Sequence, residues 1–154
     1  MALLRAREAV MNEFRPNLLK NGINEQQWRV LRALASDEDG AVSVGQLAER
    51  TLLLGPSLSR ILVKLEEQGL IERRLDIEDG RRSYISVTRA GFALVRRIAP
   101  QSEMIYSGIE QRFGRERLAA LVAELTELIA QEEAWEARPE PAMKPSSPGK
   151  RARS

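Results

Sequence analysis

The stretch from residue 55 to residue 91 constrains this chain most, because its hydrophobic period changes there from that of a helix to that of two strands. In its first part, apolar side chains recur at i, i+3, i+4 and i+7, at Leu58, Ile61, Leu62 and Leu65. This spacing predicts a helix with one buried face, and Gly69 suits a left-handed end to it. Residues 70–75 and 83–87 then predict two strands joined by a charged turn over 76–82.

The outward face of this predicted helix carries small polar and basic side chains. They are Ser57, Ser59, Arg60 and Lys64. Small serines allow the N-terminus of a helix to approach a major groove, where Arg60 suits a guanine edge and Lys64 suits a phosphate. The alternative interpretation is an ordinary solvated helix face.

The segments on either side of this helix favour DNA over a solvated face. Upstream, Ser43 with Gln46 forms a capping-box pattern that predicts a short helix, and a turn over 51–55 joins the two helices. Downstream, the charged turn carries Arg81 and Arg82. Arginines suit the negative potential of a narrow A·T minor groove, although a charged hairpin tip is the simpler alternative. This is the outline of a winged helix-turn-helix.

Long apolar helices are predicted on both sides of a DNA-binding core that spans about residues 41–90. Residues 2–20 form the first helix, and Asn24 with Gln27 forms a capping-box pattern that starts a second. Residues 92–133 form the last helices, in which Pro100 is expected to produce a kink or a break. We expect the helices over about 2–20 and 92–133 to dimerise two subunits, because the core closes its own small interior. The basic, Pro-rich segment 135–154 is predicted to be disordered.

Composition excludes several classes of chemistry. The chain has no cysteine and no histidine, so thiol nucleophiles, disulfides and the common zinc sites are excluded. The remaining acids, bases and hydroxyls show no recognisable catalytic spacing, and no Gly-rich phosphate loop is present. We therefore predict neither an enzyme nor a cofactor. No apolar run approaches the length of a membrane span, so we expect a soluble, cytoplasmic protein without a membrane partner.

The positive charge is local rather than general. Residues 1–134 contain 19 basic and 20 acidic side chains, a net charge of −1. Residues 55–97 contain nine basic and six acidic side chains, a net charge of +3. The excess therefore lies on the predicted DNA-reading element and on the tail.

The hairpin and the start of the next helix carry a motif that resembles one family of bacterial regulators. The motif reads Asp79-Gly80-Arg81-Arg82-Ser83-Tyr84-Ile85-Ser86-Val87-Thr88-Arg89-Ala90-Gly91. It is similar to the pattern of the MarR family, in which Asp-x-Arg precedes a hydrophobic strand and Thr-x-x-Gly. The resemblance covers about residues 2–134 and implies a winged-helix domain over 1–134. It also implies that Arg81 enters the minor groove and that Asp79 orients the wing arginines.

The first two helices resemble a narrower group within that family, the homoprotocatechuate-degradation regulators. Residues 7–9, 14–16 and 25–29 carry this resemblance. Those regulators repress operons for 4-hydroxyphenylacetate catabolism and respond to aromatic acids, and family ligands lie between the dimerisation helices and the winged domain. The resemblance implies a small aromatic carboxylate effector, with Arg15 at its charge and Trp28 at its ring. The structural alternatives are a surface ion pair for Arg15 and a core position for Trp28.

These observations predict a mainly α fold, a winged helix-turn-helix with a small antiparallel β wing, flanked by N- and C-terminal dimerisation helices. The predicted function is that of a ligand-responsive repressor, a homodimer that binds double-stranded promoter DNA of an aromatic-acid catabolic operon. Two alternatives stay open. One is a MarR-family regulator of another operon, for efflux or stress response, and the other is a winged-helix module for protein–protein contact.

Overall fold

A computed structural model describes residues 1–37, 40–75 and 83–136 of the chain. Within them, the helices are α1 (Ala2–Lys20), α2 (Glu25–Ala35), α3 (Val44–Thr51), α4 (Gly55–Glu67), α5 (Arg89–Phe113) and α6 (Arg115–Glu136). The strands are β1 (Val42–Ser43), β2 (Ile71–Leu75) and β3 (Ser83–Val87). The chain divides into two units, the first over Met1–Ile109 and the second beginning at Glu110. None of the described helices is long and apolar enough to cross a membrane.

Both predicted capping boxes are present and fix the starts of α2 and α3. The Asn24 side chain accepts a hydrogen bond from the Gln27 amide at 2.9 Å, and the Gln27 side chain accepts one from the Asn24 amide at 2.9 Å. Ser43 and Gln46 exchange the equivalent bonds at 3.3 and 3.1 Å. Each box satisfies two amides that a helix start would otherwise leave unpaired.

The three strands form one antiparallel sheet in the order β1-β3-β2. Ile85 lies at its centre, paired with Val42 on one side and with Arg73 on the other, and its side chain is fully buried. The two predicted strands therefore pair as expected, and β1 adds a third strand to the sheet. The hairpin turn, residues 76–82, lies outside the described residues.

The core of the first unit takes buried apolar side chains from helices α1 to α5 and from all three strands. The four periodic apolar residues of α4 are all buried, as predicted, at Leu58, Ile61, Leu62 and Leu65. In α2 the buried apolar residues are Trp28, Val30, Leu31 and Leu34. Burial of each such side chain contributes about 1.5–3 kcal/mol, so these faces fix how α4 lies on the rest of the unit.

The Thr-x-x-Gly motif has a structural explanation at the start of α5. The Thr88 hydroxyl accepts a hydrogen bond from the Gly91 amide at 3.1 Å and donates one to the Gly69 carbonyl at 2.7 Å. A Cβ at Gly91 would lie 2.1 Å from the Leu70 carbonyl oxygen and 2.6 Å from the Val87 Cγ1 atom. Threonine therefore caps the helix, and glycine allows its first turn to meet the chain that enters β2. Gly69 has the left-handed conformation that its position predicts, with φ of +68°.

Pro100 does not break α5, which runs without interruption from Arg89 to Phe113. Ile98 and Ile105 are buried on either side of the proline, and the buried Ser102 hydroxyl donates to the Ile98 carbonyl at 3.2 Å. Packing of this face therefore outweighs the lost backbone hydrogen bond of the proline.

Replacement of Gly91 by alanine should destabilise the fold strongly. The added methyl group would overlap a backbone oxygen, which cannot move as a flexible side chain can, so we expect a loss of about 1–3 kcal/mol or more. Gly45→Ala is the matched control, because Gly45 lies in α3 with no atom within 4 Å of an added Cβ. That change should stabilise by up to about 1 kcal/mol. Urea unfolding at equal protein concentration measures both, and equal stability of the two variants would contradict this packing.

Candidate nucleic-acid interface and ligand cavity

The outer face of α4 presents the polar and basic side chains that the sequence predicts there. Ser59, Arg60 and Lys64 are exposed and Ser57 is half-buried, and these four residues form what we name the reading face. Neither Arg60 nor Lys64 makes an ion pair with any carboxylate among the described residues. Both cations are therefore open to an anionic partner.

Val63 also lies on this side of α4, with 49% of its surface exposed. It is three residues from Arg60 and four from Ser59, so it is a neighbour of both on the helix surface. Val63 is not among the site residues predicted from the sequence, although a β-branched apolar residue in the polar half of an amphipathic helix is a usable signal. The reading face therefore surrounds an apolar position.

The basic side chains of β2 are engaged with acidic neighbours. The Arg74 guanidinium lies 2.8 Å from the Glu72 carboxylate, and Arg73 lies 3.9 Å from that of Glu66. These pairs are exposed and contribute little stability, but they neutralise part of the charge of the hairpin. The predicted wing contacts, Asp79, Arg81 and Arg82, fall outside the described residues, so their roles stay predictions.

A cavity of about 390 Å³ opens between α1, α2 and α5 of the first unit. It is lined by Arg7, Val10, Met11, Phe14, Glu25, Trp28, Arg29, Arg32, Ala33, Ser36 and Tyr106. The Phe14 and Tyr106 rings meet with their centroids 4.9 Å apart. A cavity of this size, with three aromatic and four charged residues in its lining, suits a small organic molecule that carries a charged group.

Arg32 provides the cavity with a cation held against aromatic groups. Its guanidinium carbon lies 6.0 Å from the centroid of the Trp28 ring, and its Nη1 donates to the Tyr106 hydroxyl at 3.2 Å. It forms no ion pair among the described residues, so donors of its planar fork are available to a carboxylate. Arg32 is not among the site residues predicted from the sequence, although its i+4 spacing from Trp28 on α2 is a usable signal.

Arg15 lies elsewhere. It donates to the Glu8 carboxylate at 2.8 Å, to Asn12 at 2.6 Å and to Glu25 at 3.2 Å, and it does not line the cavity. The hydrogen bond from Arg15 holds the pKa of Glu8 below its usual value. The structure thus places Arg15 in an ion-pair cluster, which was the alternative interpretation, whereas Arg32 lines the cavity beside Trp28. The ligand contact assigned to Arg15 stays a prediction.

Trp28 combines the two interpretations that the sequence left open. Its side chain is only 7% exposed and belongs to the hydrophobic core. One surface of it also lines the cavity. A core aromatic residue that forms the wall of a cavity gives a ligand a rigid surface, because packing on the other sides fixes its orientation.

Helix α2 also contacts the ends of both helices of the helix-turn-helix. Arg29 donates to the carbonyl of Thr51, the last residue of α3, at 3.1 Å. The buried side-chain amide of Gln27 donates through Nε2 to the side-chain oxygen of Gln68, the C-cap of α4, at 3.2 Å. The helix that forms a wall of the cavity is therefore hydrogen-bonded to α3 and to the end of α4, the helix that carries the reading face.

Comparison with known proteins supports this architecture. The family model described as MarR family matches residues 21–82. The homoprotocatechuate degradative operon repressor of Escherichia coli is 43% identical over 130 residues, which are 84% of this chain and 86% of that protein. The structure of NadR in complex with 4-hydroxyphenylacetate aligns with a TM-score of 0.71 and 39% identity, over 82% of this chain and 89% of that one.

A second solved structure contains DNA. The S. aureus MepR–DNA complex aligns with a TM-score of 0.75 and 25% identity, over 84% of this chain and 96% of that one. The winged-helix fold predicted from the sequence is therefore confirmed. Identity of 43% over most of both chains extends well beyond the winged helix itself, and on that ground this chain belongs to the MarR family of transcriptional regulators.

Proposed function

We propose that this protein is a dimeric, ligand-responsive transcriptional repressor that leaves its operator when a small aromatic acid binds. The reading face carries the DNA-binding part of the proposal, because α4 buries all its periodic apolar residues and leaves Arg60 and Lys64 unpaired within the described residues. Lysine and arginine on such a face neutralise phosphates and read guanine edges. The predicted wing contacts of Arg81 and Arg82 would extend this surface into the minor groove.

A repressor of promoters acts in the cytoplasm, where we place it.

The cavity supports an aromatic carboxylate as the effector. Donors of the Arg32 guanidinium and the Tyr106 hydroxyl would bind the carboxylate, and the Trp28 ring would form a wall for the aromatic ring. Glu25 also lines the cavity and can accept a hydrogen bond from a ring hydroxyl. NadR, which is 39% identical, binds 4-hydroxyphenylacetate in its solved complex. A phenylacetate with one or two ring hydroxyls is therefore the proposed class of effector.

Helix α2 gives a physical route from the cavity to the DNA. An effector bound against Trp28 and Arg32 acts on the same helix whose Arg29 and Gln27 contact the ends of α3 and α4. The ligand can release DNA only to the extent that it prefers the conformation that does not bind DNA. A coupling free energy of about 1–3 kcal/mol would weaken DNA binding roughly 5–150-fold.

Exposed apolar side chains on α1 and on α6 support the dimer. On α1, Leu3 and Leu4 are 60% and 55% exposed, and on α6 the exposed apolar residues include Leu121, Val122, Leu128 and Ile129. Exposed apolar side chains in such number on two helices mark a surface for contact with another subunit. Two reading faces held by one dimer would meet half-sites about one turn of DNA, roughly 34 Å, apart.

The reading face can be tested on an operator selected from random duplexes. Arg60→Ala should relax base preference and weaken binding by about 1–3 kcal/mol for each half-site contact. Arg81→Ala should weaken binding to A·T-flanked sites most, and it should reduce the dependence of DNA affinity on salt. Arg74→Ala is the matched control, because Glu72 already neutralises Arg74 and little base preference should be lost. If Arg60→Ala and Arg81→Ala both bind the operator with wild-type affinity, the proposed reading surface is wrong. If the wild type selects no duplex at any salt concentration, the winged helix serves a protein partner instead.

The effector site can be tested by calorimetry and by operator titration with 4-hydroxyphenylacetate and 3,4-dihydroxyphenylacetate. Arg32→Ala should lose acid binding and release while it keeps DNA affinity, since Arg32 lies outside the reading face. Trp28→Phe should weaken the response less, because an aromatic wall remains.

Arg15→Ala is the matched control for the effector site, since it removes the same charge from a side chain outside the cavity. Arg15→Ala should keep the response to the acid. If Arg15→Ala loses the response and Arg32→Ala keeps it, the ligand carboxylate binds Arg15, as predicted from the sequence. If neither acid releases DNA from the wild type, the aromatic-acid part of the proposal fails and a regulator of another operon takes its place.

The dimer can be tested by sedimentation at micromolar concentration, where the wild type should be dimeric. A double change, Leu121→Asp with Leu128→Asp, places two charges on the apolar row of α6 and should shift the protein towards monomer. Glu124→Gln changes one charge on the same helix and should leave the dimer intact. A monomeric wild type would contradict the proposed assembly.

A further inference from the structure

Two leucines in the turn between α3 and α4 are almost fully exposed. Leu52 is 87% exposed and Leu54 is 79% exposed, whereas Leu53 between them packs against the core. The partly buried Leu53 anchors this turn to the core. The two flanking side chains therefore need another explanation.

The backbone favours other residues at both positions. Leu52 has φ of 53° and ψ of 34°, a left-handed conformation that suits glycine or asparagine, and it is the one non-glycine residue with positive φ among those described. Leu54 is the N-cap of α4 and makes no side-chain cap. Serine, threonine, asparagine and aspartate are preferred there. The starts of α2 and α3 carry complete capping boxes, so the poor choice at α4 is local.

Leu54 stands where the reading helix begins. Its carbonyl accepts the first helical hydrogen bond of α4, from the Leu58 amide at 2.9 Å, and Ser57 follows in the first turn. In a helix-turn-helix, the N-terminal residues of the second helix contact base edges in the major groove. The C5-methyl group of thymine is the one apolar group on those edges, and apolar side chains recognise it.

We propose that Leu54, with Leu52 beside it, recognises thymine methyl groups in each half-site of the operator. This inference rests on the proposed DNA-binding function and adds a determinant of base preference to it. Positions that break local backbone preferences without a packing gain occur mainly at functional sites. Here the surface that gains from the leucines is the DNA, because the polar and basic reading face begins three residues after Leu54.

The test replaces thymine by deoxyuridine, which removes only the methyl group, one position at a time in a selected operator. For wild-type protein, one thymine in each half-site should show a penalty of about fourfold, the value for one buried methyl group. Replacement in both half-sites should weaken binding about fifteenfold. Leu54→Ser should bind the thymine operator more weakly than wild type, and it should bind the thymine and deoxyuridine operators equally well. This cycle isolates the contact between side chain and methyl group from other effects of the substitution.

Leu52→Gly and Leu54→Ser should both be at least as stable as the wild type, because each supplies the residue that the backbone favours. Weaker DNA binding by a more stable variant cannot then come from unfolding. Thermal unfolding and sedimentation should show an intact dimer for both.

The possible failures are distinct. If the wild type selects no operator, the proposed function fails first. If it selects one and deoxyuridine has no effect at any position, or if Leu54→Ser keeps the full methyl penalty, this inference is wrong and the DNA-binding proposal stands. A change in oligomeric state of either leucine variant would instead assign the turn to contact between subunits, and it would overturn the inference as well.

Discussion

The carboxylate of Glu25 holds α1 against α2, and the cavity and the link to the helix-turn-helix both depend on this contact. It forms ion pairs with Arg7 and Arg15 of α1 and with Arg29 of its own helix, and its side chain is 16% exposed. A carboxylate so poorly hydrated needs such partners, and loss of them would leave an uncompensated charge. The cluster therefore fixes α1 against α2 at the rim of the cavity. Through the bond from Arg29 to the Thr51 carbonyl, it also reaches the turn that leads into the reading helix.

The same arrangement explains why one short helix can serve two functions. Trp28 and Arg32 of α2 line the cavity, whereas Gln27 bonds to the end of α4. Gln27 is 5% exposed, and a buried amide without its partner is destabilising by about 1–3 kcal/mol. A rotation of α2 large enough to fit a ligand must therefore carry α4 with it or break that bond. Both proposed binding events would act on this one helix, so coupling between them would need no longer path.

Features set by local sequence were predictable, and features set by how helices cross were not. The capping boxes at Asn24 and Ser43, the buried face of α4 and the antiparallel hairpin depend on neighbours within a few residues, so their patterns identify them. The choice between Arg15 and Arg32 depends on where α1 lies on α2. Both arginines follow apolar residues at helical spacing, and only the tertiary arrangement commits one to an ion-pair cluster and the other to the cavity. Pro100 shows the same limit, since buried residues on both sides keep α5 intact.

The contrast between three helix starts extends this argument to the DNA. At α2 and α3, whose N-termini lie outside the reading face, the chain uses the side chains that stabilise a helix N-terminus best. At α4, whose N-terminus begins the reading face, the cap is an exposed leucine, and a second exposed leucine occupies a left-handed position before it. Each substitution that would improve local stability would also remove apolar surface from the start of the reading helix. A trade of stability for function of this kind is expected where a binding surface constrains the sequence more strongly than the fold does. Leu53 packs this turn against the core, and Arg29 bonds to the Thr51 carbonyl before it. The two exposed leucines therefore stand on a turn that the rest of the unit holds in place.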